Sequence, residues 1–159
     1  MHKAYLLLGS NIGDSKKNIA IAKKEIEKQI GKTLRSSSVY ATAAWGNKDQ
    51  PDFLNQIIII NTVYEPLYLL QMIFSIEKKM GRIRTQKNAP RTIDIDILFF
   101  DKLIINEPNL VIPHPLISER NFVLVPMNEL SPQFIHPYYN KTIHEMLLKC
   151  KDRLPVKKN

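Results

Sequence analysis

The chain has 159 residues, 23 Lys and Arg against 15 Asp and Glu, a net charge of +8 and one cysteine. Residues 1–159 fit one domain, able to bury about two-thirds of its unfolded surface without staples, and a lone thiol excludes a disulfide framework and points to a reducing compartment. No apolar run is long enough for a bilayer span or a signal-peptide core, so a cytoplasmic, non-exported protein with no membrane partner is expected. The charge alone is compatible with an anionic partner, but much of it lies in the pairs Lys16–Lys17, Lys23–Lys24, Lys78–Lys79 and Lys157–Lys158, as on solvated helix faces.

Along the chain, Lys3 to Gly9 is apolar throughout, as in a strand covered on both faces. Asp14 or Ser15 then caps a helix to about Ile30, with Ile19, Ala22, Ile26 and Ile30 at helical spacing and Gly31 ending it. Thr33 to Tyr40 reads as a strand, Thr42 to Asp52 as a loop, and Phe53 to Val63 as a strong strand. Pro66 opens a helix to about Met80, whose stripe is Leu69, Ile73, Ile76 and Met80. Arg82 to Thr92 is basic and without period, hence a mobile loop. Ile93 to Phe100 is a strand that Asp101-Lys102 turns into a hairpin partner, Leu103 to Asn106. A Pro-punctuated stretch (107–115) leads to a helix near Ser118 to Leu130, with Pro126 inside it, and a last helix covers Thr142 to Lys149. The order β-α-β-β-α-β predicts an α+β, ferredoxin-like split βαβ sandwich: a mainly antiparallel sheet with helices packed on one face, plus a C-terminal extension.

The most informative stretch is Ala89-Pro90-Arg91-Thr92-Ile93-Asp94-Ile95-Asp96-Ile97-Leu98. On a strand, Ile93, Ile95 and Ile97 face the core, and Asp94 and Asp96 face the other way, about 6.5–7 Å apart along the backbone. Two carboxylates so placed can hold hard cations against a polyphosphate. Solvated aspartates on a half-exposed strand would show the same alternation. Asp is a poor strand former, however, and Arg82, Arg84, Lys87 and Arg91 crowd the preceding loop. A phosphate chain would be gripped from both sides. No rival nucleotide fingerprint is present: Gly9-Ser10-Asn11-Ile12-Gly13 lacks both the Lys-Ser/Thr ending of a Walker loop and the G-x-G-x-x-G spacing.

The run Lys87-Asn88-Ala89-Pro90-Arg91-Thr92-Ile93-Asp94-Ile95-Asp96-Ile97-Leu98 resembles the hallmark of the 6-hydroxymethyl-7,8-dihydropterin pyrophosphokinases. Gly9-Ser10-Asn11, Asp49-Gln50-Pro51-Asp52-Phe53-Leu54-Asn55, Ile76-Glu77, Gly81-Arg82, Val111-Ile112-Pro113-His114-Pro115 and Arg120-Asn121-Phe122 agree with it in order. The resemblance implies transfer of pyrophosphate from ATP to a pterin alcohol, with ATP as co-substrate, by a monomer that needs no nucleic acid. It implies that Asp94 and Asp96 hold two Mg2+ ions, and that Phe53 and Phe122 stack on the pterin. Asn55 and backbone groups near Thr42, Ala43 and Trp45 would meet the pterin's polar edge. Arg82 and Arg91 would act on the phosphates, and Glu77, Arg84, Ile97, His114 and Arg120 would line the ATP side. Loops 43–50 and 82–90 would close over the substrates. The chain departs from the family pattern at Phe74, Asn88 and Ala89, where members often carry Gln, Trp and Gly. The residues themselves fit a flat heterocycle, since Phe53 and Asn55 share one strand face. The competing reading, an RNA-binding module on a ferredoxin-like sheet, lacks its aromatic motifs and would set two acids against the phosphate backbone.

Overall fold

Both alternate sets of side chains on the first strand are apolar, and in the computed structural model both are buried. The structure describes residues 1–43, 49, 51–82 and 92–159. β1 (His2–Ser10) lies between β4 (Phe53–Thr62) and β5 (Asp94–Phe100), antiparallel to each. The outer edge of β4 carries first β2 (Thr33–Ser36) and then β3 (Tyr40–Thr42), and β8 (Val156–Lys158) adds to β3. The path across the sheet is therefore β5-β1-β4-β3-β8, with β2 beside β4. Its first strands are ordered as two interleaved βαβ halves require, which is the expected ferredoxin-like arrangement.

α1 (Ser15–Gln29) and α2 (Pro66–Lys79) pack on one face. Asp14 caps α1 by accepting the Lys17 N–H at 3.1 Å, while Pro66 sits where no N–H is needed. Their stripes Ile19, Ala22, Ile26 and Leu69, Ile73, Ile76 meet Ala4, Leu6, Leu8, Ile58, Ile60, Ile95 and Ile97. Gly31 ends α1 because the chain crosses the end of β4 there: a Cβ would lie 1.7 Å from the Asn61 carbonyl oxygen.

The two helices of the split βαβ core share one face as expected, and the C-terminal extension adds a second layer. α3 (Asn121–Leu130) and α4 (Ile143–Lys149) cover the opposite face, against Tyr5, Leu7, Ile57, Ile59, Leu98 and Phe99. The apolar two-sidedness of β1 and of Ile57–Ile60 required that second layer. Two readings change. Ile105–Glu107 (β6) pairs with Leu110–Ile112 (β7) as a small separate sheet and does not return along β5. The Thr33–Tyr40 strand is split in two, with Ser37 turned inward to accept and donate hydrogen bonds. Along β5 the strict alternation also stops at Ile97: a register shift makes Leu98 an extra residue, so that Leu98 and Phe99 both enter the second core. No helix among the described residues is long and apolar enough to cross a membrane.

Candidate active site

One row of side chains crosses the sheet on the α3–α4 face: Asp94 on β5 stands opposite Gly9 on β1, Gly9 opposite Asn55 on β4, and Asn55 opposite Tyr40 on β3. Asp96 stands in the next row, beside Leu7 and Ile57. Leu7 and Ile57 lie under α3 and α4, whereas the Asp94–Gly9–Asn55 end carries polar groups. Both carboxylates are half-buried and face away from Ile93, Ile95 and Ile97, as their spacing predicted.

Gly9 makes this row a trough. A Cβ there would lie 2.7 Å from Asn55 Oδ1 and 3.8 Å from the Phe53 ring, so the missing side chain is what lets the Asn55 amide lie flat across β1. Asn55 is 4% exposed, and its Nδ2 donates to Thr42 Oγ1, itself 4% exposed, at 3.1 Å. The turn after β1 is fixed by its own amides: Asn18 Nδ2 donates to the Ile12 carbonyl at 2.9 Å, and Asn11 Nδ2 to the Pro51 carbonyl at 3.2 Å. Gly9→Ala should raise the KM of whatever substrate occupies the trough by roughly tenfold, at a stability cost of about 1 kcal/mol; steady-state kinetics with each substrate in turn and a thermal melt check it.

At the Asp94 end, Arg82 Nη1 donates to Glu77 Oε2 at 2.8 Å and makes a close ion pair with Asp94 Oδ1. Burial alone would lower the guanidinium pKa, but Asp94 and Glu77 outweigh it and raise it. Glu77 is 1% exposed and also accepts the Ile95 N–H at 2.8 Å. It therefore ties α2, Arg82 three residues past its end and the edge strand β5 into one unit.

Beyond β5 lies a cavity of about 340 Å3, lined by Leu70 and Phe74 of α2, Asp96 and Ile97 of β5, Leu110 of β7 and His114, among others. His114 is held there by its backbone, whose N–H donates to the Leu98 carbonyl at 3.0 Å, and by Nδ1, which accepts the Leu116 N–H at 3.2 Å. Burial, then the nearby Arg120 charge, push its pKa down to about 4, against the pull of Asp94. At neutral pH the ring is uncharged with its proton on Nε2, a donor with no charge of its own. His136, in the second core, is also lowered to about 4 by burial, and its Nδ1 accepts the N–H groups of Tyr138 and Tyr139.

Both histidines have folded pKa values below the unfolded value of about 6.5, so the unfolded chain takes up protons first as pH falls. Their contribution to stability is full above that value and is lost toward about 4. The melting temperature should accordingly drop between pH 6.5 and 4.5, and His136→Asn, which keeps an acceptor for the two amides, should flatten that slope; melts across the range check it.

The predicted residues thus fall into three neighbourhoods. Arg82 joins Asp94 and Glu77; Asp96, Ile97 and His114 line the cavity; Thr42, Asn55 and Phe53 form the trough around Gly9. Phe122 sits in the first turn of α3, with the Arg120 guanidinium 5.4 Å from its ring centre, and α3 packs across β3 and β4. Ala43 is exposed at the end of β3. Trp45, Arg84, Lys87, Asn88, Ala89 and Arg91 lie outside the described residues, as do most of loops 43–50 and 82–90. The roles of Gly9, Tyr40 and Glu129 were missed. Glu129 of α3 accepts hydrogen bonds from Tyr40 Oη at 2.8 Å and from Ser38 Oγ at 2.8 Å. Gly9 ending an apolar strand was the one available signal; the Tyr40–Glu129 contact spans 89 residues and left none.

Donor chemistry at the two aspartates suits Mg2+, which prefers hard carboxylate and phosphate oxygens and keeps few protein ligands. No cluster of three or more His, Cys, Asp or Glu side chains converges among the described residues, so a cation here would complete its shell from phosphate and water.

Residues 5–132 match the 7,8-dihydro-6-hydroxymethylpterin-pyrophosphokinase (HPPK) family. The chain is 39% identical over 150 residues to the 2-amino-4-hydroxy-6-hydroxymethyldihydropteridine pyrophosphokinase of Methylorubrum extorquens, covering 94% of each. It is 42% identical over 145 residues to folic acid synthesis protein FOL1 of Dictyostelium discoideum, covering 91% of this chain but 22% of that protein, so it spans about a fifth of that longer relative. A crystal structure of wild-type Plasmodium falciparum HPPK-DHPS with pteroate superimposes with a TM-score of 0.73 at 20% identity, over 93% of this chain and 42% of that one, and shares its fold. A match over four-fifths of the sequence, a relative aligned end to end and an acidic pair set on the strand where the hallmark run predicts it agree, and the chain belongs to the 7,8-dihydro-6-hydroxymethylpterin-pyrophosphokinase family.

Proposed function

We propose that this chain transfers pyrophosphate from ATP to 6-hydroxymethyl-7,8-dihydropterin, giving AMP and the pterin methyl diphosphate on the route to folate. The observation that carries the assignment is the position of Asp94 and Asp96, between the Gly9–Asn55 trough on one side and the His114 cavity on the other. The two substrates then meet over the carboxylates. The hydroxymethyl oxygen attacks the β-phosphorus in line. The bond from that phosphorus to the α,β-bridging oxygen breaks, its electron pair leaves with AMP, and the hydroxyl proton passes to solvent.

The pterin lies in the trough between Phe53 and Phe122. Because Asn55 Nδ2 is already given to Thr42, its Oδ1 is the acceptor left for a ring N–H. Backbone groups of Thr42, Ala43 and Trp45 take the rest of the polar edge. Adenine occupies the cavity against Ile97, and the phosphates run over β5 toward the trough. Arg82, Arg84, Arg91 and Arg120 supply charged donors, and His114 supplies a neutral one. Asp94 and Asp96 would hold two Mg2+ ions, which when bound neutralise the triphosphate and lower the pKa of the attacking alcohol. Arg82, anchored on its far side by Glu77, keeps the Asp94 carboxylate turned into the site. We take residues 1–159 as one catalytic domain, monomeric and cytoplasmic, in keeping with its lone, buried thiol Cys150.

The test is incubation of the protein with ATP, Mg2+ and the pterin alcohol. AMP should form only when all three are present; AMP formation indifferent to the pterin, or none at all, would overturn the reading.

A further inference from the structure

We infer that the C-terminal segment Asp152–Lys158, which lies beyond the stretch matched by the family, is a strap that positions both walls of the pterin trough, with Asp152 as its principal positioning residue. The inference rests on the pyrophosphokinase reading for what the trough binds, but the contacts are those of the chain itself.

One wall is the first turn of α3, which carries Phe122. That turn is poorly secured from within. Arg120, at the N-cap, makes no side-chain capping bond. Pro126 has no N–H to return to the Phe122 carbonyl four residues earlier. The cap comes instead from the tail. Asp152 Oδ2 accepts the Asn121 N–H at 3.0 Å, and the Asp152 carbonyl accepts Asn121 Nδ2 at 2.7 Å. A carboxylate at that end also lies at the positive pole of the helix. Its second oxygen, Oδ1, accepts the Leu154 N–H at 2.9 Å, which turns the chain toward β8.

The other wall is β3, three residues long, which carries Thr42 and through it holds Asn55. β8 pairs along its outer edge, Val156 opposite Thr42 and Lys158 opposite Tyr40, and the Asn159 N–H donates to the Val39 carbonyl at 2.8 Å. A strand of three residues at a sheet edge holds its place poorly without a neighbour on each side. One eight-residue stretch, Asp152 to Asn159, therefore sets the position of Phe122 from one end and of the Thr42–Asn55 pair from the other. Neither hold touches the residues that line the His114 cavity, and only Arg120, at the N-cap of the same turn, reaches toward the nucleotide, so the strap should act more strongly on the pterin than on ATP.

The experiment is steady-state kinetics on the full chain for Asp152→Ala, Asp152→Asn and Lys157→Pro, with amide hydrogen exchange on residues 40–42 and 121–124. Asp152→Ala should raise the pterin KM roughly five- to tenfold while the ATP KM stays within about twofold, the size expected for loss of a helix cap. Asp152→Asn, which keeps an oxygen facing the Asn121 amide, should recover most of that loss. Lys157→Pro, which cannot donate to the β3 ladder, should raise the pterin KM and speed exchange at 40–42. An unchanged pterin KM in Asp152→Ala, or pterin and ATP KM values rising together with a falling melting temperature, would overturn the inference. If the wild-type chain releases no AMP, the pyrophosphokinase reading falls by itself. Exchange then still decides the strap: faster exchange at Asn121 and Phe122 in Asp152→Ala supports it, and unchanged exchange refutes it.

Discussion

Asp96→Ala should lower the rate of AMP release by roughly three orders of magnitude, the scale on which removal of a preorganised electrostatic partner of a phosphoryl group acts. Its melting temperature should stay close to wild type. Asp96 is half-buried on the edge strand, and its neighbours in the sheet, Leu7 and Ile57, are packed by α3 and α4 whether or not the carboxylate is there. Asp94→Ala should be as inactive but less stable, because Asp94 is one of two carboxylates that neutralise the buried Arg82. Among the described residues, removing it leaves that charge with Glu77 alone, at a cost of about 1–2 kcal/mol. The pair of variants thus separates chemistry from structure, and AMP release beside a thermal melt reads both. Near-normal turnover in either one would remove the carboxylates from the mechanism.

That the two aspartates could be picked out beforehand follows from the physics of a strand. Alternation is a local property, so Ile93, Ile95 and Ile97 on one side and Asp94 and Asp96 on the other were legible without any tertiary knowledge. The same holds for the stripes of α1 and α2 and for the cap at Asp14. The limit shows at Leu98, where an extra residue in β5 ends the alternation: the shift is set by pairing with β1, ninety-odd residues away, and nothing local encodes it. The second helical layer was legible in principle, since β1 and Ile57–Ile60 are apolar on both sides, but a βαββαβ pattern read by itself covers only one of them. β6 pairing with β7 was hidden because three-residue strands carry too little pattern. β8 was hidden for the same reason, within a tail whose lysines read as solvated. In the site, residues that act by charge announced themselves, while those that act by absence or by distance did not. Gly9 works by lacking a side chain, and Tyr40, Glu129 and Asp152 work through partners far off in sequence.

Glu77→Ala should destabilise the protein by about 3 kcal/mol, a fall of roughly 6–12 °C in melting temperature for a domain of this size. The reason is position. β5 is the edge strand of the sheet, with β1 on one side only. An edge strand leaves a row of amides without a ladder partner, and Glu77 reaches from α2 to accept the one at Ile95 at 2.8 Å. The same oxygen takes Arg82 Nη1 at 2.8 Å, and both side chains are nearly inaccessible, at 2% and 8% exposure. Alanine removes the acceptor for a buried amide and half the compensation of a buried cation, and each loss is costly because water cannot replace it. Glu77→Gln separates the two. It keeps an acceptor for Ile95 and gives up only the charge, so it should retain more stability than Glu77→Ala while Arg82 leans further on Asp94. Activity should fall in both, since Arg82 and the start of β5 carry Asp94 into the site. A direct role on the nucleotide would leave a different signature: an ATP KM raised several-fold in Glu77→Gln with the melting temperature unmoved. Melts and ATP titrations on the two variants decide between a residue that touches the nucleotide and one that holds β5 and Arg82 where the nucleotide needs them.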